Sequence, residues 1–247
     1  MRSFVEHARS FRARMAADGQ SLAPLAHGQS PLALFITCSD SRVIPALITG
    51  ARPGELFELR TAGGIVPHYN LDRPSGEAAT IEFAVEVLCV ADIVVCGHSQ
   101  CAAVAARVRG DDLSQVPAMD GWLTHAAGAP RPAPAPTPPG TGHHGTAPRD
   151  PAAHTPATAH DTTQDTAQDG AQDGAPDSAV YAGTSADRHL TAAIHAHVLA
   201  QLDRLRHYPC ISTRLDQGRI GLHGWFYEVH TGTVLAHRPA DGTFLPL

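Results

Sequence analysis

Two short, uninterrupted apolar runs constrain this chain more than anything else in it: LALFITC at 32–38 and DIVVCGH at 92–98. Neither alternates polar with apolar, so neither suits a strand with one face in water. Each fits a strand covered on both faces, as in a parallel sheet. GELFELR (54–60) reads as another short strand, ahead of a Gly63-Gly64 loop. Segments of helical period lie between the strands. In AATIEFAVEVLCV the apolar residues Ile81, Ala84, Val85 and Leu88 fall at helical spacing, preceded by Ser75 and Glu77. QCAAVAARVRG reads as a helix closed by Gly110, and HLTAAIHAHVLAQLDRLRHYP as an amphipathic helix stopped by Pro209. RIGLHGWFYEV and TVLAHR follow as strands around a His-Thr-Gly turn. Strands alternating with helices predict a three-layer α/β fold with a mostly parallel central sheet of about five strands.

One stretch breaks this pattern. From 128 to 187 the chain runs from GAPRPAPAPTPPGTGHHG into DTTQDTAQDGAQDGAPDS, with almost no large apolar residue. Such a segment buries too little surface to offset its ordering entropy, and disorder is expected. Folded-type sequence resumes at 188, so the tract reads as an insertion in a surface loop of one domain spanning 1–247. Long loops cost little extra closure entropy. His143, His144, His154 and His160 within it are irregularly spaced and read as solvated low-complexity sequence.

A net charge of −6 leaves no basic footprint for nucleic acid. No apolar window approaches the length that crosses a bilayer, and the start, MRSFVEHARSFRARMAADG, lacks the apolar core of a secretory signal. Phe4, Val5, Ala8, Phe11 and Met15 recur at helical spacing. They predict a surface helix packed on the body or on a partner subunit, although an Arg-rich amphipathic start also resembles a transit peptide. Five cysteines without a framework spacing point to free thiols in a reducing compartment, the cytoplasm.

Parallel sheets bind ligands at the carboxyl ends of their strands, and metal-type side chains fall there. Cys38 closes the first run and is followed by Ser39-Asp40-Ser41-Arg42. His98 closes the second, with Cys101 three residues on at a helix start, where the helix dipole favours thiolate. Two sulfurs and one imidazole suit tetrahedral zinc, and three protein ligands leave a fourth position for water. Taken singly, a strand-ending cysteine is usually core and a histidine after glycine often caps a turn. Their coincidence at two strand ends carries the reading. Cys89, Cys96 and Cys210 read as small buried hydrophobes, His223 and His230 as surface or turn residues, Trp122 and Trp225 as packing anchors.

CSDSRV (38–43), RTAGGIVP (60–67), SGEAATIEFAVEVL (75–88) and GHSQCAA (97–103) resemble the β-class carbonic anhydrases, over 29–126 and again over 188–235. The resemblance implies one zinc ion per chain held by Cys38, His98 and Cys101, with an Asp40–Arg42 pair beside it. It implies an obligate homodimer, or an assembly of dimers, with active sites at the subunit boundary. The implied activity is reversible hydration of carbon dioxide to bicarbonate and a proton by zinc-bound hydroxide, bicarbonate then being held by the metal and Gln29. Gln29, nine residues before Cys38, stands where plant-type members carry a substrate-binding glutamine, and Phe57 and Phe83 stand where they line the carbon dioxide pocket. A second subclass has a noncatalytic bicarbonate site marked by a tryptophan where this chain has Phe35. Two features depart from the family: Ala102 replaces the usual glycine after the last zinc cysteine, crowding the amide near bicarbonate, and the 128–187 insertion is foreign to it.

Charge refines the expectation. Two thiolates cancel the double charge of zinc, so the water it holds is less acidic than the ~7 of tri-histidine sites, and activity rises toward alkaline pH. Arg42, in a bidentate pair, keeps Asp40 from taking the fourth position. Two rivals share the zinc site: a hydrolase of carbon disulfide or carbonyl sulfide, and a noncatalytic zinc- or bicarbonate-binding homologue. The second would need none of Asp40, Arg42 and Gln29.

Overall fold

The structure, a computed structural model, describes residues 1–126 and 185–247. Most of the tract expected to be disordered, with its four histidines, lies outside those residues. Its last three positions, 185–187, form the first turn of a helix, so folded sequence resumes slightly earlier than predicted.

Along the chain run α1 (Arg2–Ala17), β1 (Ala33–Cys38), α2 (Pro45–Thr49), β2 (Leu56–Thr61), α3 (Gly76–Glu82), β3 (Asp92–His98), α4 (Ala102–Arg109), α5 (Pro117–Leu123), α6 (Ser185–Arg206), α7 (Pro209–Asp216), β4 (Gly221–Tyr227), β5 (Val234–Arg238) and β6 (Thr243–Pro246). They build the expected three-layer α/β fold around a sheet of order β2-β1-β3-β4-β5-β6. The first four strands in that order are mutually parallel, and β5 and β6 add an antiparallel edge. The sheet has six strands, one more than the five expected. The extra one, TFLP, is too short to show a period. Phe244 anchors it, stacked on His195 with ring centroids 4.0 Å apart.

One face of the sheet carries the larger core: Leu34, Ile36, Ile93 and Val95 pack against Ile81, Val198, Leu202, Leu205 and Ile211. Helix α6 presses onto this face where the strands carry glycine. A Cβ on Gly97 would lie 2.7 Å from Val198 Cγ2 and 2.8 Å from Ile194 Cγ2, and one on Gly224 would lie 3.0 Å from Leu202 Cδ1. A second cluster at the carboxyl ends joins Cys38, Ile65, Cys101, Val104, Leu123, Ile194 and Phe226. On the opposite face Phe35 meets Trp225 edge to face, ring centroids 5.9 Å apart.

Ser75 caps α3, its Oγ accepting from the Ala78 N–H at 3.1 Å. The helix then widens into a π-type turn, Phe83–Val87, and ends at Cys89 with φ 54°. That left-handed exit turns the Cys89 side chain outward, so this cysteine is exposed rather than buried as predicted. Cys96 is buried and Cys210 half-buried. In α1 no residue is buried; Phe4 is 72% exposed and Phe11 45%. Its apolar stripe is therefore largely bare, only Met15 at its end being half-buried, beside Leu22 and Leu25. No helix among the described residues is long and apolar enough to cross a membrane.

Candidate metal centre

Strands β1 and β3 are hydrogen-bonded neighbours, with Thr37 level with Cys96, so Cys38 and His98 emerge side by side at their carboxyl ends. The chain must then return within three residues to place Cys101 at the head of α4. It does so through Gln100 at φ 54°, a conformation that costs a non-glycine residue on the order of 1 kcal/mol. Ser99 fixes this turn: its N–H donates to the Tyr227 carbonyl at 2.9 Å, and its Oγ accepts from the Val229 N–H at 3.0 Å. One donor atom each from Cys38, His98 and Cys101 then lies within 4.8 Å of the others, and all three residues are buried.

The histidine reports what the cluster fits. Its Nδ1 lies 3.0 Å from the Ser99 carbonyl, which only accepts, so Nδ1 carries the proton and Nε2 presents a lone pair. Nε2 is buried and has no hydrogen-bond partner among the described residues. An unpaired buried acceptor costs about 1–3 kcal/mol. A hydrogen bond from Cys101 holds the Cys38 thiol well below its usual range against burial, with the N–H of Gly63 assisting. The Cys38 thiolate and burial push Cys101 up. An imidazole lone pair facing two cysteine sulfurs fits one soft dication, since zinc bonds to nitrogen and sulfur are about 2.0–2.3 Å.

Asp40 sits at the rim. Arg42 donates from Nε to Oδ1 at 2.9 Å, from Nη2 to Oδ2 at 2.7 Å, and from its backbone N–H to Oδ1 at 3.0 Å. These bonds hold the Asp40 carboxyl well below the usual carboxylate range. Oδ2 lies 3.8 Å from His98 Nε2, so the carboxylate borders the cluster without belonging to it. The sequence reading missed Arg60 on β2, which pins the loop carrying Cys38 and Asp40. Its Nη2 donates to the carbonyls of Cys38 (3.2 Å), Asp40 (2.8 Å) and Val43 (2.7 Å).

The Gly63-Gly64 loop closes the other side, the Gly63 N–H donating to Cys38 Sγ at 3.3 Å. Both glycines have positive φ, and a Cβ on Gly64 would lie 3.1 Å from the Thr37 carbonyl carbon. Side chains hold this loop group by group. Trp122 Nε1 donates to the Ala62 carbonyl at 2.9 Å, His197 Nε2 to that of Gly63 at 2.9 Å, and Tyr208 to that of Pro67 at 2.8 Å. Arg204 donates to the Val66 carbonyl at 2.6 Å, and Gln201 Oε1 accepts from the Val66 N–H at 2.9 Å. Burial pushes His197 toward its neutral form, which leaves Nε2–H as the donor. Trp122 is thus more than a packing anchor. A polar stripe along α6 (197, 201, 204), continued by Tyr208 just beyond it, was the available signal for the others.

The remaining expected site residues lie elsewhere. Phe57 is the second residue of β2 and pairs in register with Leu34, whereas Cys38 pairs with Thr61. Four residues at ~3.3 Å each separate those levels by ~13 Å. Phe83 lies beside Phe57, ring centroids 5.9 Å apart. Gln29 is exposed in the segment before β1, beyond the Leu32 N–H that bonds Glu55 at 2.8 Å. All three therefore gather at the amino end of the sheet, opposite this chain's own cysteines. Ala102 opens α4 with an exposed side chain. His223 makes a surface contact to Asp92 at 2.7 Å, and His230 lies 4.0 Å from Glu228, as befits surface and turn residues.

The sequence pattern of the carbonic anhydrase family matches residues 33–137 and 146–234. A carbonic anhydrase of Pseudomonas aeruginosa is 39% identical over 231 residues, 94% of this chain and 84% of that protein. Carbonic anhydrase 1 of Escherichia coli O157:H7 is 35% identical over 223 residues, 90% of this chain and 81% of that protein. The solved β-carbonic anhydrase CcaA aligns with a TM-score of 0.72 at 28% identity, covering 100% of this chain and 99% of that one. Two tetrameric β-carbonic anhydrases of Sordaria macrospora share the fold at a TM-score of 0.63 and 22% identity, covering 96% of this chain and 97% of the matched one. With a cysteine–histidine–cysteine cluster set on the carboxyl ends of this sheet, the chain belongs to the β-class carbonic anhydrases.

Proposed function

We propose that this chain is a zinc-dependent carbonate dehydratase of the plant-type subclass, holding one zinc ion on Cys38, His98 and Cys101 and interconverting carbon dioxide and bicarbonate. The observation that carries the reading is the buried, unpaired Nε2 of His98 set within 4.8 Å of the sulfurs of Cys38 and Cys101. Zinc bound there supplies a water acidic enough to attack carbon dioxide. The protein does the rest. Arg42 occupies both oxygens of Asp40 and holds the carboxylate at the rim, where a free lone pair would accept a hydrogen bond from the attacking water and orient it. Because two thiolates neutralise the metal, turnover rises with pH.

The substrate-binding roles of Gln29, Phe57 and Phe83 need a second copy, since this chain places them at the opposite end of its sheet from its cysteines. In a homodimer, or an assembly of dimers, the amino end of one copy completes the carboxyl end of the other. The bare apolar stripe of α1 is a surface suited to such an interface. Gln29 then binds bicarbonate, Phe57 and Phe83 line the carbon dioxide pocket, and Ala102 flanks the bicarbonate at the head of α4. The thiol ligands suit a reducing, cytoplasmic setting. The tract up to 184 is read as an insertion within a single domain, without a part in the chemistry.

Zinc analysis with stopped-flow carbon dioxide hydration from about pH 7 to about pH 9 tests the reading. Stoichiometric zinc and a rate that climbs with pH are expected. A zinc-replete protein inert toward carbon dioxide but active on carbon disulfide overturns it.

A further inference from the structure

The Ala62–Gly63 peptide is donated to at one end and donates at the other. Trp122 Nε1–H bonds the Ala62 carbonyl at 2.9 Å, and the Gly63 N–H bonds Cys38 Sγ at 3.3 Å. These are the two ends of one planar group whose C–N bond has partial double-bond character. A donor on the oxygen draws density from the nitrogen and strengthens the hydrogen bond that the N–H makes, the cooperativity expected of chained bonds in a buried site. We infer that Trp122 is a positioning residue that tunes the metal centre through this single peptide, by making the Gly63 N–H a stronger donor to the Cys38 sulfur. The inference rests on the zinc reading above.

Packing alone does not account for the arrangement. The indole ring does join the core cluster at the carboxyl ends and lies against His125, ring centroids 5.5 Å apart. Burying the ring there does not require its N–H to meet the Ala62 oxygen. Nor is Trp122 the loop's only anchor. His197 fixes the next peptide through the Gly63 carbonyl, and the positive φ of both glycines leaves a Cβ no room beside Ala103 and Thr37. What Trp122 adds to a loop already held is polarisation along the path to sulfur. A thiolate that gives more of its density to a hydrogen bond gives less to the metal. The metal then stays a stronger Lewis acid than two free thiolates would leave it, and its water more acidic. The relay so offsets part of the weakness expected of a charge-neutral zinc site.

Two replacements in the full-length protein separate polarisation from packing. Trp122→Phe removes the N–H together with part of the ring. Benzothienylalanine at 122, introduced by nonsense suppression, keeps the bicyclic shape and puts sulfur in place of the N–H, so it decides the matter even if the phenylalanine protein folds poorly. The first readout is the sulfur-to-metal charge-transfer band of the cobalt(II)-substituted protein. The second is the pH midpoint of carbon dioxide hydration by the zinc protein. Without the indole N–H the sulfur becomes the richer donor, so the band moves to longer wavelength. The midpoint moves up, lowering activity near neutrality by about three- to tenfold while the alkaline plateau is kept. If either the band or the midpoint of the benzothienylalanine protein stays at its wild-type position, the inference falls and Trp122 is packing alone. A wild-type protein that takes up neither zinc nor cobalt would instead sink the metal reading on which it rests.

Discussion

The carboxyl and amino ends of the parallel sheet are built to different standards. At the carboxyl end the backbone of 38–43 and 62–67 is pinned by Arg60, Trp122, His197, Gln201, Arg204 and Tyr208. The conspicuous orphan there is the lone pair of His98 that a metal would take. At the amino end Gln29 is exposed, Phe83 is 41% exposed and Leu32 68%, and Phe83 lies against Phe57 at the edge of the core. One end is finished within a single chain, while the other is a surface awaiting cover. In the proposed dimer the two ends meet across the subunit boundary, so chemistry and substrate binding for one site come from different copies. Precision differs for a physical reason: ligand positions must be fixed within fractions of an ångström, whereas an apolar pocket tolerates looser placement.

The largest effect expected tests the finished end. Arg42→Ala frees Asp40 from its bidentate partner and lets the carboxylate close onto the metal, lowering turnover by about a hundredfold. Zinc content stays stoichiometric, because no ligand is removed. Stopped-flow rates read beside metal analysis check both halves, and unchanged kinetics would take the Asp40–Arg42 pair out of the mechanism.

A mixing experiment sharpens the division between the ends. Cys101→Ala protein lacks a ligand and is expected to be metal-poor and inactive, while Gln29→Ala protein keeps its zinc and loses substrate binding. Unfolded together and refolded, the two chains form heterodimers in which the intact zinc of one copy faces the intact glutamine of the other. Random pairing of equal amounts makes half the dimers mixed, each with one working site, so about a quarter of wild-type activity returns. If Gln29 served its own chain, none would return.

How much of this was legible in the sequence follows the same division. Cys38, His98 and Cys101 were readable because each falls at the end of a buried strand or the start of a helix, where local pattern fixes direction. Gln29 was legible only through the family resemblance, because the extended strand between it and Cys38 carries it to the other end of the sheet and no local pattern marks its role. Arg60, His197 and Gln201 were passed over because their partners are backbone groups distant in sequence, which no local window shows. Strand β6 left no period to read, and the outward turn of Cys89 depends on a left-handed φ that its sequence does not announce.

The smallest effect lies in acid and probes whether Asp40 belongs to the finished end energetically as well as geometrically. Folding depresses its carboxyl below the ordinary aspartate value of about 4, chiefly through the Arg42 hydrogen bonds. A depressed folded value means that the unfolded chain takes up the proton first. The pair's stabilisation is therefore complete above about pH 4 and is lost as pH falls toward the folded value. The Arg42 side chain is 46% exposed, so solvent screening limits the contribution to about 1 kcal/mol or less. Thermal denaturation of the metal-free protein should thus show Asp40→Asn flattening the acid limb of Tm below about pH 4, with little change near neutrality beyond the loss of that one pair. A larger drop at neutral pH would mean that the carboxylate supports the 38–43 loop itself, a task the carbonyl contacts of Arg60 otherwise account for.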